Sequence, residues 1–349
     1  MQVVALVFFG RRDRVSILDC YLTRNLKRNG GLLDSVEFIV NTEDADDLKW
    51  LDEAVARTPG YVKYTQRKKG DDYVVLDYKR AYGILKRNTM YIKIDDDVVY
   101  ISDDTIQRLV QTRLDHPEYL VISANVVNHP LVSWLHYHLG AIRPYLPELL
   151  LPEQSERNKS SWRASELPAW TGPSTYTVQN SVDFTPPYQG HRWLPLTNGE
   201  NTDRTPISGT EYHPHGPGWK VWPVAAQEHY SFLENLEKDP MMSSYRFELW
   251  DSVYDRLSIN FIAFLGDDIL DTGPMPGDDE LYLTVTLPKK LGRHVAIDGS
   301  TLVTHFSYGA QWDGLSSTDL LMRYKAYAEE MVCGRPRSSD VDNLGNVTA

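Results

Sequence analysis

MYIKIDDDVVYI, from Met90 to Ile101, sets three consecutive aspartates, Asp95, Asp96 and Asp97, between two apolar runs. Tyr91-Ile92-Lys93-Ile94 has the β-branched and aromatic content of a buried strand, so the aspartates fall where that strand ends. In open α/β sheets, ligands bind beyond the carboxyl ends of the strands. Side chains two residues apart along a strand share a face, so Asp95 and Asp97 converge while Asp96 faces elsewhere. Carboxylates this close repel one another, and a hard divalent cation relieves the repulsion. Such an ion keeps waters and takes phosphate oxygens as further ligands. The stretch reads as an Asp-x-Asp metal site for a phosphorylated substrate; the plainer alternative is a solvated acidic turn.

Upstream, Val3 to Phe9 reads as a buried strand followed by the loop Gly10-Arg11-Arg12-Asp13. The spacing of Leu18, Leu22 and Leu26 predicts a helix from about Arg14 to Arg28, stopped by Gly30-Gly31. Val36 to Val40 is a second strand ending in Asn41-Thr42. A helix with Leu48, Leu51 and Val55 follows, then a short strand from Tyr61 to Thr65. A helix from Tyr73 to Lys86 leads into the aspartate strand. Downstream, Ile106, Leu109, Val110 and Leu114 mark a helix, and Tyr119 to Ala124 another strand. Strands alternating with helices predict an α/β fold, a Rossmann-like, mainly parallel sheet flanked by helices.

The middle of the chain breaks this rhythm. Between Pro152 and Pro223 lie 10 of the 20 prolines, together with Trp162, Trp170, Trp193, Trp219 and Trp222. This Pro/Trp-rich insertion, residues 151–224, is expected to carry short strands. Its tryptophans either stack on sugar rings or form a small core of their own. Helical periodicity returns in Gln227 to Leu236 and is read across Tyr245 to Leu265. A late hairpin is expected from His294 to Phe306, turning at Asp298-Gly299. A last amphipathic helix carries Leu320, Tyr324, Ala328 and Met331. The expected organisation is an α/β half over 1–150, the insertion, a second half over 225–333 completing the same domain, and a loose tail over 334–349.

The chain has 349 residues and a formal net charge of -12, which argues against binding a nucleic-acid backbone. No apolar run is long enough to span a bilayer. Only two cysteines occur, Cys20 and Cys333, so no disulfide framework is indicated. Read as written, the protein is expected in the cytoplasm; a fragment of a secretory-pathway enzyme fits as well. Asn158-Lys159-Ser160 and Asn346-Val347-Thr348 match the glycosylation sequon, a pattern short enough to arise by chance.

Three elements in fixed order, IDDD at 94–97, GDDE at 277–280 and VTHF at 303–306, resemble the GT-A-type glycosyltransferases, which use nucleotide-sugar donors. The whole sequence is also similar to a group of uncharacterised fungal proteins of this type. The resemblance covers roughly residues 1–150 and 245–330. It implies that Asp95 and Asp97 bind Mn²⁺ or Mg²⁺ with the donor diphosphate, and that His305 completes the metal shell. It implies that Asp279 or Glu280 is the catalytic base of an inverting enzyme, with Glu280 preferred because Leu283 and Leu287 follow it as the family's apolar positions do. The family's usual order is Glu-Asp, whereas this chain has Asp-Glu preceded by Asp278. The partner implied is a nucleoside-diphosphate sugar; the acceptor stays open among glycan, protein and small molecule.

Further site residues follow from position. Gly10, Arg11, Arg12 and Arg14 come after the first strand, where the family binds the nucleotide; the arginines contact phosphate or ribose or are surface charges. Asn41 and Thr42 are candidates to touch the base, Lys79 to neutralise a phosphate, and Asp96 to join the nucleotide site. Trp134, His136 and His138 either line an acceptor pocket or pack among aromatics. A second hypothesis is a haloacid-dehalogenase-type phosphohydrolase, with Asp95 as nucleophile, Asp97 as acid/base and Asp267-Asp268 as the late acidic pair. A degenerate transferase that only binds its donor is a third.

Overall fold

The computed structural model describes residues 1–65, 78–153, 161–178, 184–196, 202–210 and 220–335. The sequons at 158–160 and 346–348, residues 73–77 of the expected helix at Tyr73 to Lys86, and Trp219 lie outside these residues. Contacts divide the chain into two compact units. The first holds Met1–Asn125, Phe247–Val303 and the chain from Val332 on; the second holds Val126–Arg246 and Thr304–Met331.

The first unit is built on a Rossmann-like α/β sheet. Its strands are β1 (Gln2–Phe9), β2 (Ser35–Val40), β3 (Tyr61–Thr65), β4 (Thr89–Asp95), β5 (Val98–Ile101), β6 (Tyr119–Val127), β9 (Trp250–Val253), β10 (Phe261–Leu265) and β11 (His294–His305). The order is β3-β2-β1-β4-β10-β6-β11-β5, with β9 paired to β11. β1 runs parallel to β2 and β4, and β2 parallel to β3; β10 enters antiparallel between β4 and β6. Residues Val3 to Phe9 of β1 are all buried, as expected of a strand covered on both faces. Each such Val, Leu, Ile or Phe contributes about 1.5–3 kcal/mol relative to exposure. The helices α1 (Arg12–Asn25), α2 (Ala45–Arg57), α3 (Tyr78–Ala81) and α4 (Thr105–Asp115) connect these strands. α2 starts at Asp44, whose side chain accepts from the Asp46 and Asp47 amides, an N-cap that satisfies two orphan donors.

Register carries the fold to the site. Phe9 pairs with Val40 and Phe8 with Asp95, so β1, β2 and β4 end side by side. Gly10, Asn41 and the aspartates therefore share one sheet edge. A Cβ at Gly10 would lie 3.1 Å from Asp96 Oδ2 and 3.3 Å from the Asn41 carbonyl oxygen, so the close approach of these loops suits glycine.

Two expectations are corrected. The run from Tyr245 to Leu265 is not a helix: it holds β9 and β10, and the continuous burial of Phe261 to Phe264 explains why its apolar sequence shows no strand alternation. Residues 294–306 do not form a hairpin: β11 runs unbroken from His294 to His305. Asp298 Oδ1 accepts from the Ser300 amide at 2.9 Å and Oδ2 from the Thr112 hydroxyl at 2.6 Å. A Cβ at Gly299 would come within 2.3 Å of Phe247, so this glycine serves a close approach rather than a turn. The two cysteines, for which no disulfide framework was indicated, form one bridge, Cys20–Cys333, across a separation of 313 residues. No short spacing announces such a pair.

The second unit is organised on α6 (Trp222–Lys238), buried along most of its length, with α5 (Pro130–His138), the helix Leu320–Met331 and a two-stranded antiparallel pair, β7 (Tyr145–Pro147) and β8 (Trp193–Pro195). Trp162, Trp170, Trp193 and Trp222 are all buried, and Trp193 meets Trp222 edge-on at 6.1 Å. Trp162 packs on Tyr327 and Trp170 on Tyr176, so these four tryptophans are packed side chains, in keeping with the core reading. No helix among the described residues is long and apolar enough to cross a membrane.

Candidate metal and transfer site

Asp95 closes β4, and Asp96-Asp97 turn the chain towards β5. Asp97 is 2% and Asp96 5% exposed, so these are not solvated turn carboxylates. Asp95 and Asp97 each offer a ligand oxygen, and these oxygens lie within 4.8 Å of one another; His305, the last residue of β11, falls in the second unit. Two convergent carboxylates form an oxygen donor set that suits Mn²⁺ or Mg²⁺.

Each aspartate is also held by protein groups. Asn260 donates its side-chain amide to Asp95 Oδ2 at 3.0 Å, and the Asp95 amide donates to the Asn260 carbonyl at 2.9 Å. Lys93 pairs with Asp95 and donates to the Ile259 carbonyl oxygen at 2.8 Å. Gly10 donates its amide to Asp96 Oδ2 at 2.8 Å. The Arg11 guanidinium pairs with Asp96 and reaches Asp97 Oδ2 at 3.0 Å. Burial pushes Asp96 up to about 6, against the lowering pull of Arg11. Burial alone would lower the Lys93 ammonium; Asp95 first, then Asp279, outweigh it and raise it above its ordinary value.

The second acidic element differs at each position. Asp278 caps the helical stretch that follows, accepting from the Leu281 amide at 2.9 Å. Asp279 is 7% exposed and accepts from the Tyr82 hydroxyl at 2.9 Å. Glu280 accepts from Arg256 Nε at 2.7 Å. Burial raises the Asp279 carboxyl above its usual range, against Lys93 and Tyr82; burial also raises Glu280, against Arg256. Leu283 and Leu287 are fully buried and anchor the stretch. Pro288 lies in the continuing segment Leu287–Leu291, directly after the π-helical turn Tyr282–Thr286.

The other sequence candidates scatter. Arg12 is exposed, with its nearest carboxylate, Asp47, at 3.9 Å. Arg14 is buried and feels Asp97 and Asp96 electrostatically. Asn41 is exposed at the end of β2, and the Thr42 hydroxyl donates to Asp47 at 3.3 Å. Lys79 is exposed on α3. In the second unit, His136 is fully buried against the Tyr245 ring at 4.8 Å, a core position rather than a pocket wall. His138 packs on Trp134 at 4.1 Å.

The acidic pair that the phosphohydrolase reading requires is not beside Asp95. β10 runs antiparallel to β4 with Leu265 opposite Met90, so Asp267 and Asp268 follow at the starting end of β4. There Asp267 engages Arg87, and Asp268 engages Arg113 and Arg293.

Sequence reasoning passed over Lys93, Asn260, Tyr82 and Arg256. Lys93 carried a signal: it lies two residues before Asp95 in an otherwise apolar strand, on the same face. The others reach the site only through the fold.

No family model matches the sequence, and no curated protein does. Among solved structures, the chain is similar to 4-diphosphocytidyl-2C-methyl-D-erythritol synthase from Anaerococcus prevotii, at 8% identity and a TM-score of 0.35, over 94% of this chain and 96% of that one. It is also similar to CMP:2-keto-3-deoxy-manno-octonic acid synthetase complexed with CTP, at 12% identity and a TM-score of 0.37, over 95% and 98% of the two chains. Similarity this remote assigns no activity.

Proposed function

We propose that this protein is a metal-dependent glycosyltransferase of the GT-A type, moving a sugar from a nucleoside-diphosphate sugar to an acceptor hydroxyl with inversion. The observation that carries the reading is the convergence of the carboxylates Asp95 and Asp97 at the end of β4 in a Rossmann-like sheet, with His305 as the third ligand that the resemblance implies. Mn²⁺ or Mg²⁺ bound there would supply charge stabilisation for the departing diphosphate. In this reading Gly10 and Asn41, at the ends of β1 and β2 beside the aspartates, contact the nucleotide.

Of the two candidate bases, Asp279 is better supported than Glu280. Arg256 bonds Glu280 directly and keeps it a paired carboxylate. Asp279 is turned inward and oriented by the Tyr82 hydroxyl, and burial raises its carboxyl as it raises that of Glu280. In this reading Asp279 takes the acceptor's proton as its oxygen attacks the anomeric carbon. Lys93, held between Asp95 and the acidic pair, keeps the two carboxylate groups compatible in one site. The Cys20–Cys333 bridge supports an oxidising compartment, hence the secretory pathway rather than the cytoplasm.

The test is a panel of nucleotide sugars with Mn²⁺. The expected result is release of a nucleoside diphosphate, slowly to water when no acceptor is present. Release of inorganic phosphate from sugar phosphates, with nucleotide sugars untouched, overturns the reading.

A further inference from the structure

Three carboxylates crowd the end of β4, yet three cations already face them. Lys93 pairs with Asp95, Arg11 with both Asp96 and Asp97, and buried Arg14 lies within electrostatic reach of Asp97 and Asp96. Each of the three carboxylates is thus already engaged by a cation. A bare divalent cation entering the cluster meets an arginine already on one of its ligands. A divalent cation that arrives with a diphosphate brings its own counter-charge, and that diphosphate offers a guanidinium two or more oxygens in bidentate geometry.

From this competition we infer that Arg11 is an exchange group: it holds Asp97 in the metal-free protein and transfers to the donor diphosphate when Asp97 turns to the metal. The inference rests on the metal-site reading above and adds an order to it, in which metal and nucleotide bind together and neither binds well alone. Position fits the role. Arg11 is the N-cap residue of α1, next to Gly10, whose amide pins Asp96. Its side chain is 26% exposed, so the guanidinium can leave the carboxylates without opening the core. Asp96 anchors it on one side while Asp97 is the shared ligand on the other. Arg11 is therefore a positioning residue for Asp97 in one state and a phosphate contact in the other.

Mn²⁺ binding to the full chain, measured by calorimetry and by the loss of the free Mn²⁺ paramagnetic signal, tests this without turnover. Wild type, Arg11→Ala and Arg11→Lys are each titrated alone and with UDP, GDP or CDP. Exchange predicts that Arg11→Ala binds Mn²⁺ alone roughly tenfold or more tightly than wild type, because a competing cation is gone. It also predicts that the gain in Mn²⁺ affinity from nucleotide shrinks by a similar factor. Arg11→Lys, which keeps the charge and loses the fork, should fall between them and guards against a folding defect in the alanine variant. Unchanged Mn²⁺ affinity in Arg11→Ala with the nucleotide effect intact overturns the exchange but leaves the metal site standing. Absence of Mn²⁺ binding in every form, with every nucleotide, removes the metal site and the exchange together.

Discussion

Tyr82 donates its hydroxyl to Asp279 Oδ2 at 2.9 Å, joining residues 197 positions apart. That bond favours the ionised carboxylate, against a burial that raises it. Asp279→Asn is expected to cut turnover by about two orders of magnitude or more, the range for a lost general base, with nucleotide affinity near wild type. Tyr82→Phe removes only the bond, so the acidic limb of the kcat/KM profile should move to higher pH. Near-normal turnover in Asp279→Asn returns the base assignment to Glu280 or dismisses it.

Glu280 is expected to act structurally. Breaking its pair with Arg256 should lower stability by about 1 kcal/mol or less, since Arg256 is only partly shielded. Glu280→Gln should then show a small drop in denaturation midpoint and at most a severalfold change in kcat. A hundredfold loss of kcat in a folded Glu280→Gln protein contradicts this division of roles.

Asp97→Ala and His305→Ala should both abolish the Mn²⁺-dependent gain in nucleotide affinity, read by calorimetry, while far-ultraviolet circular dichroism stays unchanged. The two sites of substitution differ in charge, so a shared loss points to ligation and not to a general electrostatic effect. Nucleotide affinity that responds to Mn²⁺ in either variant as in wild type excludes that residue from the metal shell.

Lys93 is buried in mid-strand and compensates Asp95. Lys93→Met leaves that carboxylate facing Asp279 without its cation. A loss of roughly 3 kcal/mol in unfolding free energy is expected, the range for removing one partner of a buried pair. Chemical denaturation at neutral pH measures it; an unchanged midpoint would mean that Asp95 is solvated well enough to need no partner.

The second unit should show a stability maximum near pH 6.5. Burial lowers His136 to about 3 and His229 to about 4, both below the unfolded value of about 6.5. Their stabilisation is present above pH 6.5 and is lost as pH falls towards 4 and 3. Burial pushes Glu228 up to about 8, above an unfolded value of about 4.3. Its contribution is full below the unfolded value and declines as pH rises to 8. Between pH 4.5 and 6.5 the two histidines outweigh the one glutamate; above that, only Glu228 titrates. Thermal midpoints from pH 5 to 9 should peak accordingly, and Glu228→Gln should flatten the falling limb, a change on the order of 2 kcal/mol. An unaltered limb in that variant assigns the decline to other groups.

Much of the first unit was legible because its strands and helices obey local rules. β1, β2 and β4 are mostly apolar runs that end in polar loops, and Asp44 ahead of α2 is a readable cap. The Asp95–Asp97 spacing was readable for the same reason, and so was Lys93 on the same face. Phe261 to Leu265 was misread as helix because a strand buried on both faces has no alternation to show. Asp298-Gly299 was misread as a turn because glycine signals both turning and close approach, and only the position of Phe247 separates them. Tyr82, Asn260 and Arg256 are ordinary residues in sequence. Their roles depend on register between strands far apart in the chain, which no local window contains.

The Cys20–Cys333 bridge turns nearly the whole polypeptide into a closed ring. A protease that cuts one peptide bond anywhere between the two cysteines releases nothing: the halves travel together on a gel until a reductant is added. Tension on the two ends of the chain is likewise short-circuited through the sulfurs, so β1 and the start of α1 bear the load while every strand from β2 to β11 is bypassed.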